Sequence, residues 1–73
     1  MYLRTSEDIL NLDNASRIYT CECDWISGEP CIKVQFSEKN IVKVKTIDIA
    51  TAQRKLDEIE HALRDGAVFF DMR

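Results

Sequence analysis

Ile47-Asp48-Ile49-Ala50-Thr51-Ala52-Gln53-Arg54-Lys55-Leu56-Asp57-Glu58-Ile59-Glu60-His61-Ala62-Leu63-Arg64-Asp65-Gly66 is the stretch that decides the fold. Asp48 is a good N-cap, and Ile47 before it is placed to pack on Ala52 as a hydrophobic staple. Ile49, Ala52, Leu56, Ile59 and Leu63 recur at three- and four-residue spacing and draw one apolar stripe along a helix. Arg54, Lys55, Asp57, Glu58, His61 and Arg64 fall outside the stripe, and Gly66 supplies a left-handed stop. Rising about 1.5 Å per residue, such a helix crosses several strands spaced at about 4.8 Å. It reads as the lid of a sheet.

Upstream, the sequence alternates as strands do. Ile41-Val42-Lys43-Val44-Lys45 sets Val42 and Val44 opposite Lys43 and Lys45, and Cys31-Ile32-Lys33-Val34-Gln35-Phe36 puts Ile32, Val34 and Phe36 on one face. Pairing Phe36 with Val42 and Val34 with Val44 aligns the two apolar faces and leaves Glu38-Lys39-Asn40 as the loop, with Asn40 left-handed. Ser27-Gly28-Glu29-Pro30 is the strongest turn signal. Before it, residues 16–25 place Tyr19, Cys21, Cys23 and Trp25 on one face and Thr20, Glu22 and Asp24 on the other. The helix then covers Tyr19, Cys21, Ile32, Val34, Phe36, Val42 and Val44. In residues 1–13, Tyr2-Leu3-Arg4-Thr5 and Ile9-Leu10-Asn11-Leu12 are short β-prone pieces around a Ser6-Glu7-Asp8 turn.

Downstream of Gly66, Val68, Phe69, Phe70 and Met72 form a short apolar tail, which reads as a further strand or as a partner-binding extension. If the tail is extended, Phe69 and Phe70 point to opposite sides, so one core buries only one of them easily. Val68, Phe69, Phe70 and Met72 are therefore the candidate interface. The expected architecture is α+β: a small antiparallel β-meander of three to five strands covered on one face by a single C-terminal α-helix, with the apolar tail.

Length and charge limit the function classes. The chain has 73 residues, 32% of them charged, a net charge of −3 and a pI near 5.0, which fits one domain spanning residues 1–73 with little core to spare. The acidic balance speaks against duplex nucleic acid. No apolar run approaches the roughly 20 residues of a membrane helix, so the expectation is a cytoplasmic protein without membrane contact.

Chemical signatures are few. Cys21, Cys23 and Cys31 with His61 have the donor types of a zinc site, but in the pairing that aligns the core faces Cys21 lies near Val34 and Cys23 near Ile32, with Cys31 on the opposite side. That makes a disulfide or a shared metal awkward, and Cys21 and Cys23 read as small buried hydrophobes. His61 reads as a solvated surface residue with no nucleophile placed beside it. Gly28 and Gly66 are a turn and a helix stop, so no phosphate loop exists. Arg17, Lys33, Lys43 and Lys45 are the candidate anion patch, in the same register a cross-strand charge ladder with Glu22 across from Lys33 and no interleaved aromatics. No cofactor, metal or catalytic residue is expected.

Leu10-Asn11-Leu12-Asp13-Asn14, followed by an alternating strand, a hairpin and a Thr/Asp-initiated helix with Ala52, Leu56, Ile59 and Leu63, resembles a loose group of very small uncharacterised bacterial and phage proteins. The resemblance implies a compact α+β accessory protein and transfers no catalytic residue. The resulting expectation is a small non-enzymatic protein-interaction module, forming a homodimer or binding another protein through its tail. The alternative is a small protein that binds single-stranded nucleic acid or an anionic ligand through a lysine-bearing sheet face.

Overall fold

A computed structural model describes residues 1–22 and 28–73. Its elements run β1 (Tyr2–Arg4), β2 (Ile9–Asn11), a 3-10 turn (Leu12–Asn14), β3 (Arg17–Cys21), β4 (Cys31–Gln35), β5 (Ile41–Lys45), α1 (Ile49–Arg64) and β6 (Phe69–Asp71). The α+β class and the single C-terminal helix agree with the sequence reading. The expected single meander does not: the strands form two three-stranded sheets, ordered β2-β1-β6 and β3-β4-β5.

The helix ends where its sequence says it should. Asp48 accepts a hydrogen bond from the Thr51 N–H at 2.7 Å, and that bond holds the Asp48 carboxyl below the usual carboxylate range. Gly66 has φ 76°. The Gly66 N–H donates to the Leu63 carbonyl and the Ala67 N–H to the Ala62 carbonyl, the paired bonds of a Schellman stop. Two details differ from expectation. Ile47 is 90% exposed, so no staple forms, and Leu63 is 45% exposed because the turn-down at Gly66 brings Ala62 and Ala67 to the core instead.

The meander β3-β4-β5 is antiparallel throughout. In β4–β5, Val34 pairs with Val42 and Ile32 with Val44, two positions from the expected register. A shift of two keeps every side chain on its face. The loop closes through the Phe36 N–H to the Asn40 carbonyl at 2.9 Å and the Asn40 N–H to the Ser37 side chain at 3.2 Å. Asn40 is not left-handed, since no described residue other than glycine has positive φ.

In β3–β4 the register differs by an odd number, and that reverses the strand. Ile18 pairs with Val34, Thr20 with Ile32, Tyr19 with Lys33 and Cys21 with Cys31. Ile18 and Thr20 therefore share the face of Ile32 and Val34 under α1, while Tyr19 and Cys21 stand on the outer face. The expected placement of Tyr19 and Cys21 under the helix is thus corrected. Cys23, Trp25 and Ser27, which the sequence assigns to the same strand and its turn, lie outside the described residues.

The second sheet explains both chain ends. β1 and β2 are antiparallel, with Leu3 opposite Leu10. Thr5 closes their turn: its hydroxyl accepts from the Asp8 N–H at 2.9 Å, and the Thr5 N–H donates to the Asp8 carbonyl. β6 lies on the other side of β1 and parallel to it, pairing Tyr2 with Phe69 and Leu3 with Phe70. Leu3, at the centre, is fully buried. The Leu10-Asn11-Leu12-Asp13-Asn14 run also has a structural account: Leu10 and Leu12 enter the core, while the Asn11 side chain caps the 3-10 turn by accepting from the Asp13 N–H. Met1, Leu3, Leu10, Leu12, Val34 and Ile59 form one cluster that joins both sheets to the helix, with Ile18, Val42, Phe70 and Met72 packed against it.

Candidate functional site

Of the four candidate interface residues, the fold separates two from two. Phe70 and Met72 pack against the core cluster, and the Met72 N–H bonds the Arg4 carbonyl. They hold the protein together. Val68 remains 79% and Phe69 50% exposed. Strand alternation separates Phe70, turned in beside Leu3, from Phe69, turned out beside Tyr2, while Val68 precedes the strand.

Phe69 has company that the sequence did not reveal. The registers put Tyr2, Arg4, Ile9, Asn11, Phe69 and Asp71 on the outer face of the β2-β1-β6 sheet, where Tyr2 is 51% and Ile9 58% exposed. Only the parallel pairing of the two chain ends brings Tyr2 to Phe69, and three-residue strands carry too little pattern to announce it. At the rim, Arg73 chelates both Asp71 carboxylate oxygens, its Nη2 at 2.9 Å from Oδ2. The Arg73 side chain, and next its backbone N–H, holds the Asp71 carboxyl down at about 2.

The candidate anion patch is assembled as a unit. On the outer face of β3-β4-β5 the registers make three cross-strand rows: Arg17–Gln35–Ile41, Tyr19–Lys33–Lys43 and Cys21–Cys31–Lys45. Arg17, Lys33, Lys43 and Lys45 thus share one face. The expected ladder of Glu22 against Lys33 is absent: Lys33 has Tyr19 on one side and Lys43 on the other. The expected lack of aromatics is corrected as well, since Tyr19 sits among the cations with the Arg17 guanidinium 4.2 Å from its ring centroid. Glu29 approaches Lys45 at 3.5 Å. The reversed parity of β3 caused both errors.

The same row overturns the reading of the cysteines. Phe36 and Thr46 donate to Asn40 and Pro30 respectively, so even-numbered positions of β4 turn their backbone groups to β5 and odd-numbered ones to β3. Cys21 and Cys31 are therefore a hydrogen-bonded pair, with Cα atoms about 5.5 Å apart, inside the roughly 4.4–6.8 Å range of disulfides. Both are thiols here, with Cys31 only 2% exposed. Treating a Cys23→Ser variant with diamide, which accepts the two thiol hydrogens, is expected to join Cys21 to Cys31 within one chain. Peptide mapping that finds no such link would contradict the register.

The remaining features are plainer. His61 is exposed on α1, where Arg64 pairs with Glu60 at 2.7 Å and Lys55 with Glu58 at 3.6 Å. Among the described residues no three His, Cys, Asp or Glu side chains are grouped to hold a metal, and no helix is long and apolar enough to cross a membrane. An open groove of about 300 Å³ lies between the end of β5, the first turn of α1 and Met72, lined by Val44, Lys45, Thr46, Ile47, Thr51 and Lys55. In comparisons with known proteins, no family model, no curated protein and no solved structure matches the chain.

Proposed function

We propose that this protein is a cytoplasmic, non-enzymatic interaction module that associates with a second copy of itself through the outer face of the β2-β1-β6 sheet. One observation carries the reading: Tyr2, Ile9 and Phe69 share a sheet face, Phe69 directly beside Tyr2 and Ile9 diagonal to it, and each is at least half exposed. Contiguous apolar surface of this kind marks interfaces, and aromatic side chains are enriched in them. The face is favoured over the open edge of β6, because the Asp71–Arg73 ion pair puts charge where an added strand would have to pair. A second copy is favoured over an unrelated partner because a chain of 73 residues has little core of its own, and a two-fold contact buries the same patch twice.

Light scattering at micromolar concentration tests this. The expected mass is twice the 8.5 kDa of one chain, and a Phe69→Lys, Ile9→Lys variant is expected to halve it with an unchanged circular-dichroism spectrum. A monomeric mass for the native chain, or an undiminished dimer in the folded variant, overturns the proposal.

A further inference from the structure

We infer that the open edge of β2, at Ile9–Asn11, docks an extended basic peptide, which adds there as a fourth strand of the β2-β1-β6 sheet. Backbone direction is the first ground. The Leu12 N–H bonds the Met1 carbonyl and the Thr5 N–H the Asp8 carbonyl, on either side of the Leu3–Leu10 pair. Alternation along the ladder then turns the backbone groups of Leu10 toward β1 and those of Ile9 and Asn11 outward. Among the described residues β1 is the only strand paired with β2, and none of them bonds these two N–H groups or the two carbonyls. Four hydrogen-bonding groups thus stand in a row at strand spacing.

Lack of protection is the second ground. Sheet edges are commonly guarded by Lys, Pro, bulges or other charge. β5 carries exposed Lys43 and Lys45, and β6 ends in the Asp71–Arg73 pair. β2 has none of these guards: its residues are Ile9, Leu10 and Asn11, paired to β1 without a bulge. Ile9, 58% exposed, offers an apolar contact to a residue laid across from it. Because the strand is short, a ligand gains the rest of its affinity from what lies past the strand's end.

Charge is the third ground and selects the ligand class. Glu7 and Asp8, both exposed, sit at one end of this edge, and neither carboxylate has an ion-pair partner among the described residues. Their backbone N–H groups both donate to the Thr5 hydroxyl, so a fixed turn presents them. The nearest cations are committed elsewhere: the Met1 ammonium holds Asp13 at 2.8 Å, and Arg4 lies directly across from Asp71. An antiparallel ligand strand runs past Asn11, Leu10 and Ile9 and then reaches Asp8 and Glu7. Its recognition pattern is therefore a few β-prone residues followed by Lys or Arg. The β2 strand of a second copy brings no cation to those carboxylates, and a polynucleotide brings phosphates.

Titrating the labelled peptide Thr-Val-Val-Lys-Arg tests the inference, with fluorescence anisotropy for affinity and amide hydrogen exchange for location. Saturable binding is expected, with exchange slowed at the Ile9 and Asn11 amides. N-methylation of the peptide's second Val, whose N–H faces β2 in this register, is expected to abolish binding. N-methylation of its first Val, whose N–H faces away, is expected to leave binding largely intact. Glu7→Lys with Asp8→Lys is expected to weaken it about tenfold while the circular-dichroism spectrum is kept, and the two methylated peptides decide the matter should that variant lose its fold. A flat titration of the native chain overturns the inference. So does equal affinity for Thr-Val-Val-Glu-Asp, equal affinity for the two methylated peptides, or a fall in the light-scattering mass on adding peptide, which would make this edge a contact between copies.

Discussion

A chain ending at Gly66 is expected to lose its cooperative thermal transition and most of its native circular dichroism. The deleted residues include β6, which forms one edge of the β2-β1-β6 sheet, and Phe70 and Met72, which pack on the core cluster. Burying a side chain of this size contributes about 1.5–3 kcal/mol; two partly buried ones, together with the newly wetted surface of Leu3, amount to roughly 4 kcal/mol or more. At about 0.05–0.15 kcal/mol per residue the whole domain is stable by roughly 4–11 kcal/mol. The loss is a large fraction of the total. Retention of the native transition after the deletion would show that β6 does not belong to the fold. For the same reason deletion cannot probe the interface, and substitutions at Phe69 and Ile9, whose side chains face outward, are the proper instrument.

Ile59→Ala is expected to lower stability by about 3–4 kcal/mol, read from the midpoint of urea unfolding at constant slope. Ile59 is 1% exposed and is the helix's member of the core cluster that includes Leu3, Leu10 and Val34. Its removal leaves a void bordered by both sheets, each fixed by its own ladder, so collapse around the void is limited. Leu63→Ala makes the comparison sharp: Leu63 belongs to the same apolar stripe but is 45% exposed, and its truncation should cost clearly less. Equal losses at the two positions would mean that the helix does not pack as described.

How the sequence conveyed the fold differs element by element. α1 was legible at both ends because Asp48 and Gly66 have local jobs that depend on nothing distant. β4 and β5 were legible in their faces, because Ile32, Val34, Val42 and Val44 alternate against lysines, although their register slipped by two. β3 was misread: Tyr19, Cys21, Cys23 and Trp25 outweigh Ile18 and Thr20 as an apolar set, and counting presumes that only one face of a sheet is buried. Cys31, 2% exposed on the outer face, shows that the presumption fails at this end of the sheet. The misreading carried directly into the candidate sites, hiding Tyr19 from the basic face and placing Cys31 away from Cys21. The tail was legible as a choice between strand and interface, and it is partly each: Phe70 takes the first role and Phe69 is proposed for the second. The Tyr2–Phe69 pairing was not legible, since it joins opposite ends of the chain through strands of three residues each.

That pairing gives the molecule a mechanical character. β1 and β6 run parallel, so traction applied between Met1 and Arg73 draws the two strands past each other along their length. Their cross-links, including Tyr2 N–H to the Val68 carbonyl and Met72 N–H to the Arg4 carbonyl, are then loaded together in shear and do not peel apart one at a time. The two ends of the polypeptide thus form a clasp, and a pull on them is met first by the strands that the ends themselves supply.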